Sequence, residues 1–280
     1  MLRAGGMPLL SALALHDRLE SGELRGLITR SDDGVAATVV NERGAWRQLV
    51  AAHGPEATLL LALAELRETS DALIWDEEAL QVDGARLDEL GYRLLLRQVF
   101  TQELSRVPLD EPQTAGLEIC PLEEPVRADA RSLFARTHAM SVEGLYATLP
   151  DPPTLERCGA AFDEYLAGGQ GKVVPAACVV IRNGPRVVGV ICCAATETSG
   201  TGILLGLAVD PSERGRGLSR VLVRRAQRGL KASGFARMLF LTTDRNTPVH
   251  RLFTLDEIID TETSPARLWL REPPPSLRPR

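Results

Sequence analysis

The sequence is poor in the residues from which metal and covalent sites are built. Histidine occurs only four times in 280 residues, never at ligand spacing with cysteine, and there is no Cys-x-x-Cys pair, so no zinc or other metal site is expected. Five cysteines are present, Cys120, Cys158, Cys178, Cys192 and Cys193. The adjacent pair would point to opposite faces of a strand and reads as small apolar filler in a reducing compartment. Excess positive charge is also missing. The formal net charge is -5, which argues against a nucleic-acid partner. No apolar run is long enough to span a membrane. The stretch Pro8 to Leu15 is short and runs straight into His16, Asp17 and Arg18. It reads as an amphipathic helix rather than a signal peptide, and a cytoplasmic location is expected.

What is present suits a globular chain. Apolar residues make up 44% and charged residues 25%, enough to build a core without staples. The length allows one large domain or two of moderate size. The stretch "PLDEPQTAGL" at 108–117 suggests a boundary. It gives an accessory α/β domain over 1–115, a second domain over 118–271 and a disordered, proline-rich tail over 272–280.

The second part reads clearly. Helices are expected at 126–139 and 154–168, the latter stopped by Gly168-Gly169. Strands follow at 175–182, 186–195 and 202–209, with "RNGP" at 182–185 as a hairpin turn. Then comes "DPSERGRGLSR", residues 210–220, in which two glycines and three arginines stand between an apolar run and a helix. Leu218, Leu222, Ala226 and Leu230 recur at helical spacing, with Arg220, Arg224, Arg228 and Lys231 on another face. A strand at 237–244, a short helix at 246–255 and a strand at 267–270 complete the series.

The first part suggests strands at 25–29, 35–40, 72–75 and 92–100 and helices near 44–52, 55–68 and 85–90. It holds a faint echo of the second. "DALIWD…LDELGYRLLLRQVF" parallels "RMLFLTTD…LDEIIDTETSPARLWL" as strand, short helix, strand. No glycine turn accompanies it, and the first part is expected to bind no cofactor.

Strand, tight glycine turn and helix start make a place where main-chain N–H groups converge on an anion. Gly215 and Gly217 free the backbone, and the amides of about 215–220 are the unsatisfied first donors of a helix. No Gly-x-x-x-x-Gly-Lys-Ser/Thr motif occurs, and hairpins rather than a second βα repeat precede the turn, which disfavours kinase-type and Rossmann readings.

Taken together, "AVDPSERGRGLSRVLVRRA" and this element order resemble the GNAT superfamily of acyl-CoA-dependent acetyltransferases, over roughly residues 118–271. The first part would then be a degenerate tandem copy. The resemblance implies a mixed, mostly antiparallel α/β (α+β) sheet flanked by helices, and acetyl-CoA as cosubstrate. The family's phosphate motif, Arg/Gln-x-x-Gly-x-Gly/Ala, reads here Arg214-Gly215-Arg216-Gly217-Leu218-Ser219, with Ser219 in the last place. By the same resemblance, the backbone of Leu207, Ala208 and Val209 would pair with the pantetheine arm, and Asn246 would join the cofactor site.

The family's Asn-x-x-Ala-x-x-Leu-Tyr pattern reads Asn246-Thr-Pro-Val249-His-Arg-Leu252-Phe253. Phe253 stands where the acid Tyr would be. Substitutes are Glu197 and His250, with Asp244, Glu143 and Tyr146 as further candidates. His138 reads as a helix-end residue. The leading expectation is direct transfer of a short acyl group to an amine of a small molecule or protein. The alternative is a non-catalytic acyl-CoA-binding sensor or partner module. A homodimer is left open.

Overall fold

The computed structural model describes residues 19–22, 24–43, 46–68, 72–76, 82–107, 116–148, 153–244, 246–253 and 258–271. The expected helix at 8–15 and the tail at 272–280 lie outside the described residues. The chain divides into two compact units, Met1–Leu96 with Pro265–Arg280, and Arg97–Ser264. This differs from a division at 108–117. The chain changes unit inside two long strands, β5 (Tyr92–Glu103) and β11 (Ile258–Arg271). Residues 108–115 themselves lie outside the described residues.

In the first unit β1 (Arg25–Ser31), β2 (Gly34–Arg43) and β3 (Trp46–His53) form an antiparallel meander. Helix α1 (Glu56–Glu68) leads to β4 (Ala72–Asp76), which pairs parallel to β3. The short α2 (Gly84–Glu89) precedes β5. The end of β11 closes the edge of β4, Leu268 opposite Asp76. Leu59, Leu63 and Leu66 of α1 bury against Leu49, Leu87, Tyr92 and Trp269, and the Tyr92 hydroxyl donates to the Leu63 carbonyl at 3.2 Å. The helix expected near 44–52 is instead strand β3. "WRQLVAAH" has no strong helical stripe, and pairing on both edges, with β2 and β4, overrides local preference.

The second unit begins with the last residues of β5. Strand β6 (Glu118–Pro121), which has no clear signal in the sequence, pairs with β7 (Val179–Asn183). Between them lie α3 (Arg127–His138), α4 (Val142–Thr148) and α5 (Leu155–Ala167), the last ended by Gly168 at φ 89°. Strands β7, β8 (Arg186–Ala195) and β9 (Thr201–Val209) form an antiparallel meander. The first residues of the run at 175–182 form a 3-10 turn, Pro175–Ala177. Helix α6 (Leu218–Ala232) then leads to β10 (Arg237–Thr243), parallel to β9. The helix expected over 246–255 is a single turn, α7 (Thr247–His250).

The sheet of this unit has an apolar core on each face. Leu218, Leu222, Ala226 and Leu230, the predicted stripe of α6, bury on one side with Cys193. Ala130, Leu133 and Phe134 of α3 bury on the other with Cys192. The adjacent cysteines therefore do face opposite ways, as strand geometry requires.

The element order is the same in both parts of the chain. β1, β2, β3, α1, β4, α2, β5 matches β7, β8, β9, α6, β10, α7, β11, with antiparallel and parallel pairings in the same places. The weak echo in sequence is thus a repeat in topology.

In the second unit, residues 97–103 of β5 cover the free edge of β10, from Arg237 opposite Glu103 to Thr243 opposite Arg97. Phe100 stacks on Phe240, ring centroids 4.9 Å apart. Gln102, fully buried, accepts from Gln227 Nε2 at 2.6 Å. Losing this strand would bare a strand edge and leave a buried amide unpaired, at a cost of about 1–3 kcal/mol for the amide alone. A fragment starting at 118 is therefore expected to lack a cooperative melt, and a synthetic peptide of residues 92–107 added in trans should restore one. Calorimetry of the fragment with and without peptide checks this. A fragment that melts like the full chain by itself would refute the shared-strand account.

Candidate active site

The glycine turn is held from below by two carboxylates. Asp210 Oδ1 accepts from Ser212 N at 3.0 Å and Ser212 Oγ at 2.7 Å, and Asp210 Oδ2 from Arg186 at 3.3 Å. Glu213 accepts from Asn183 Nδ2 at 3.2 Å and pairs with Arg216. The Ser212 hydrogen bonds hold the Asp210 carboxyl below its ordinary value. Those from Arg216 and Asn183 do the same for Glu213.

Above this base the backbone is open. Gly215 and Gly217 have φ of 78° and 77°, and a Cβ added at either would meet nothing within 4 Å. The N-cap of α6 is Gly217, with no side-chain cap. Among the described residues, the amides from Gly215 to Arg220 have no hydrogen-bond partner. These are a helix's first donors at the positive end of its dipole. Arg214 is exposed beside them, whereas Arg216 is engaged by Glu213. In the first unit only Gly54 and Pro55 separate β3 from α1. A Cβ added at Gly54 would lie 2.7 Å from the Ala36 Cα, so that turn is packed shut.

Strand β9 parts from β10 just before the turn. Their pairing runs only from Thr201 opposite Arg237 to Leu204 opposite Phe240. The cause lies on the other edge of β9. Its register with β8 shifts between Cys192 and Cys193, which face Gly206 and Leu204, so Leu205 is one residue extra. Such a bulge bends and twists a strand. Phe134 also packs onto Gly206, where an added Cβ would come within 2.5 Å of the ring. Beyond the bulge, Leu207, Ala208 and Val209 pair with β8 alone. Their side chains pack in the cores, while the edge toward β10 is unpaired.

At the end of β10, beyond the last pair with β9, a single oxygen gathers four donors. Glu143 Oε1 accepts from Thr242 Oγ1 at 2.8 Å, Thr243 N at 2.9 Å, Thr243 Oγ1 at 3.1 Å and Asn246 Nδ2 at 2.9 Å. The carbonyl of Thr243 meets His250 Nε2 at 2.9 Å. A carbonyl can only accept, so Nε2 carries a hydrogen, and the neutral form of the ring has its lone pair on Nδ1. The ring edge also contacts Phe100, centroids 5.4 Å apart. Phe253 is buried and stacks on Phe240 at 3.8 Å. Where the resemblance implies a tyrosine hydroxyl, there is an aromatic stack.

The expected site residues are therefore sorted by position. Leu207–Val209, Arg214–Ser219, Asn246 and His250 lie at the C-terminal ends of the parallel strands β9 and β10. Asn246 is the N-cap of α7, with Oδ1 accepting from Val249 N at 3.4 Å, and its amide is shared with Glu143. Glu197 is not among them. It is an exposed residue of the turn joining β8 to β9, at the opposite end of β9 from Asp210, about 26 Å away along an extended strand. Its place after a hairpin strand in the sequence does not specify at which end of β9 it stands. Asp244 is exposed just after β10. The Tyr146 side chain lies outside the described residues. His138 stacks on Phe134 at 3.7 Å, and burial pushes its imidazole down to about 4, so it stays neutral. Sequence reasoning missed Thr242 and Thr243. Both are buried, and two hydroxyl residues ending an apolar strand were the available signal. Among the described residues no group of His, Cys, Asp or Glu could hold a metal ion, and no helix is long and apolar enough to cross a membrane.

Because the Asp210 carboxyl is held low, its charge supports the turn at all pH values above the ordinary carboxylate range. That support fades as pH falls through the lowered value. Asp210→Asn should lower the melting temperature at pH 7, and by less near pH 2, as the wild-type carboxyl takes up its proton. Scanning calorimetry at both pH values checks this. An equal loss at both would mean that ionisation plays no part.

Residues 143–255 match the model of the acetyltransferase (GNAT) family. A search of curated proteins gave no match. Among solved structures, the chain is similar to a GCN5-related N-acetyltransferase from Sphaerobacter thermophilus, at 15% identity and a TM-score of 0.45, covering 85% of this chain and 76% of that one. A GCN5-related N-acetyltransferase from Kribbella flavida is similar at 16% identity and a TM-score of 0.39, covering 93% and 95%. A tandem GNAT protein from the clavulanic acid biosynthesis pathway is similar at 12% identity and a TM-score of 0.44, covering 88% and 82%. The glycine turn, the parted strands and the cluster on Thr243 all lie inside the residues that match the acetyltransferase (GNAT) family model.

Proposed function

We propose that the second unit transfers an acetyl or other short acyl group from coenzyme A to an amine, directly and within a ternary complex. The observation that carries this reading is the run of unpartnered amides from Gly215 to Arg220, over two glycines with open space above them. It suits a diphosphate, which needs several donors and close backbone approach. The unpaired edge of Leu207–Val209 suits an extended amide-bearing arm, which would take up the main-chain bonds that β10 does not. An N–H on that edge would also polarise a carbonyl.

Acyl-CoA supplies an activated acyl carbon, so that a C–N bond forms as the C–S bond breaks. The chain's own part is to place the amine and take its proton. His250 Nδ1 is the candidate base, because Nε2–H is tied to Thr243. Phe253 has no hydroxyl to give the departing sulfur a proton, so that proton would come through water. The same residue supports a second reading, a non-catalytic acyl-CoA-binding module. The acceptor, a small molecule or a protein amine, is not specified by these groups. The five cysteines are free, in keeping with a reducing, cytoplasmic setting.

Gly217→Trp should weaken acetyl-CoA binding at least tenfold in calorimetry. Its left-handed φ adds only about 1–2 kcal/mol of strain, so the fold should survive. Unchanged affinity would overturn the placement. His250→Gln should reduce thiol release with an amine library by about 10²–10⁴-fold and leave acetyl-CoA affinity intact. Tight binding without turnover in the wild type would favour the non-catalytic reading.

A further inference from the structure

Helix α7 cannot hold His250 by itself. It is one turn long and buries none of its own residues, and so short a helix has no stability of its own. Something outside it must fix the imidazole.

Two chains of hydrogen bonds lead from Glu143 Oε1 to that ring. The first runs through the cap. A carboxylate only accepts, so Glu143 draws the Nδ2 side of Asn246 toward itself, at 2.9 Å. That turns Asn246 Oδ1 toward Val249 N, which it caps. The second runs through Thr243. Glu143 takes both its amide, at 2.9 Å, and its hydroxyl, at 3.1 Å. The carbonyl of the same residue accepts from His250 Nε2 at 2.9 Å. No cationic side chain among the described residues pairs with Glu143, and neighbouring His138 is neutral. The four donors therefore meet an oxygen that no cation competes for, and hydrogen bonds to a carboxylate are the stronger kind.

We propose that Glu143 is a positioning residue: from α4 it locks the Thr243 main chain and the Asn246 cap, and so presents His250 as the Nε2–H tautomer with Nδ1 facing the amine. The inference deepens the acyltransferase reading and rests on it for its catalytic consequence. The tautomer claim stands apart from that reading.

Three variants separate the parts. Glu143→Ala removes the acceptor. Glu143→Gln keeps an acceptor oxygen and removes the charge. Asn246→Asp keeps the cap and abolishes the donor to Glu143. Nitrogen-15 spectra of the histidine side chains report the tautomer without any substrate. His250 should show Nε2–H in the wild type and in Glu143→Gln, and mixed tautomers in Glu143→Ala and Asn246→Asp. Thiol release from acetyl-CoA, with the best amine of the library, should fall about 100-fold in kcat for Glu143→Ala and less than 10-fold for Glu143→Gln. In the two Glu143 variants acetyl-CoA affinity should stay near wild type, while Glu143→Ala, which leaves the buried Thr242 and Thr243 donors unpaired, should melt at a lower temperature. If Glu143→Ala fails to fold, Asn246→Asp decides. Retention of Nε2–H in both disrupting variants overturns the inference, as does a loss of acetyl-CoA affinity in step with kcat. Absence of turnover in the wild type, with the tautomer shifts still seen, would remove the acyltransferase reading alone.

Discussion

A strand that leaves its neighbour must find new partners for its main chain, and that constraint organises the whole site. β9 and β10 stop pairing after Leu204 and Phe240. On the β10 side the vacated bonds go to protein groups, Thr243 N to Glu143 and Thr243 O to His250. On the β9 side they are left open from Leu207 to Val209. One edge is thus stocked with a carboxylate and an imidazole, and the other is left bare. The bulge at Leu205 and the packing of Phe134 on Gly206 are what force the two apart.

The glycine turn completes this arrangement from the C-terminal end of β9. It is held by side chains whose partners lie elsewhere than the open amides, Asp210 on Ser212 and Arg186, Glu213 on Asn183 and Arg216. The carboxylates hold the loop without occupying the donors. The arginine charge at 216 is neutralised within the turn, so any anion would be met mainly by main-chain N–H groups and the helix dipole.

Much of this was legible where the pattern is local. The stripe of α6, the hairpin at Gly184, the stop at Gly168 and the opposed faces of Cys192 and Cys193 all depend on residues a few positions apart. The turn was legible for the same reason, since glycine spacing, strand and helix are contiguous. What was not legible depends on partners distant in sequence. Glu143 meets Thr243 across a hundred residues, and nothing at either position announces the other. β3 is not legible as a strand because its two pairing partners do not show in its own eight residues. Glu197 stands at the far end of β9 from the glycine turn, and a residue's place along the chain does not say at which end of a strand it will stand.

The matching element order in the two parts of the chain shows what one turn can decide. With eight residues, 210–217, between strand and helix, amides are exposed; with two, Gly54 and Pro55, the corresponding corner is filled by Ala36. The long strands carry a different consequence. The first unit takes the strand beside β4 from Leu268–Leu270, far along the chain from β4 itself. During synthesis on the ribosome β4 must wait, unzipped on that side, through nearly two hundred further residues. The second unit meets no such delay, since its borrowed strand has already emerged. Vectorial translation therefore favours completing the later-made half first, and leaves the earlier-made half as the one most in need of shelter by a chaperone.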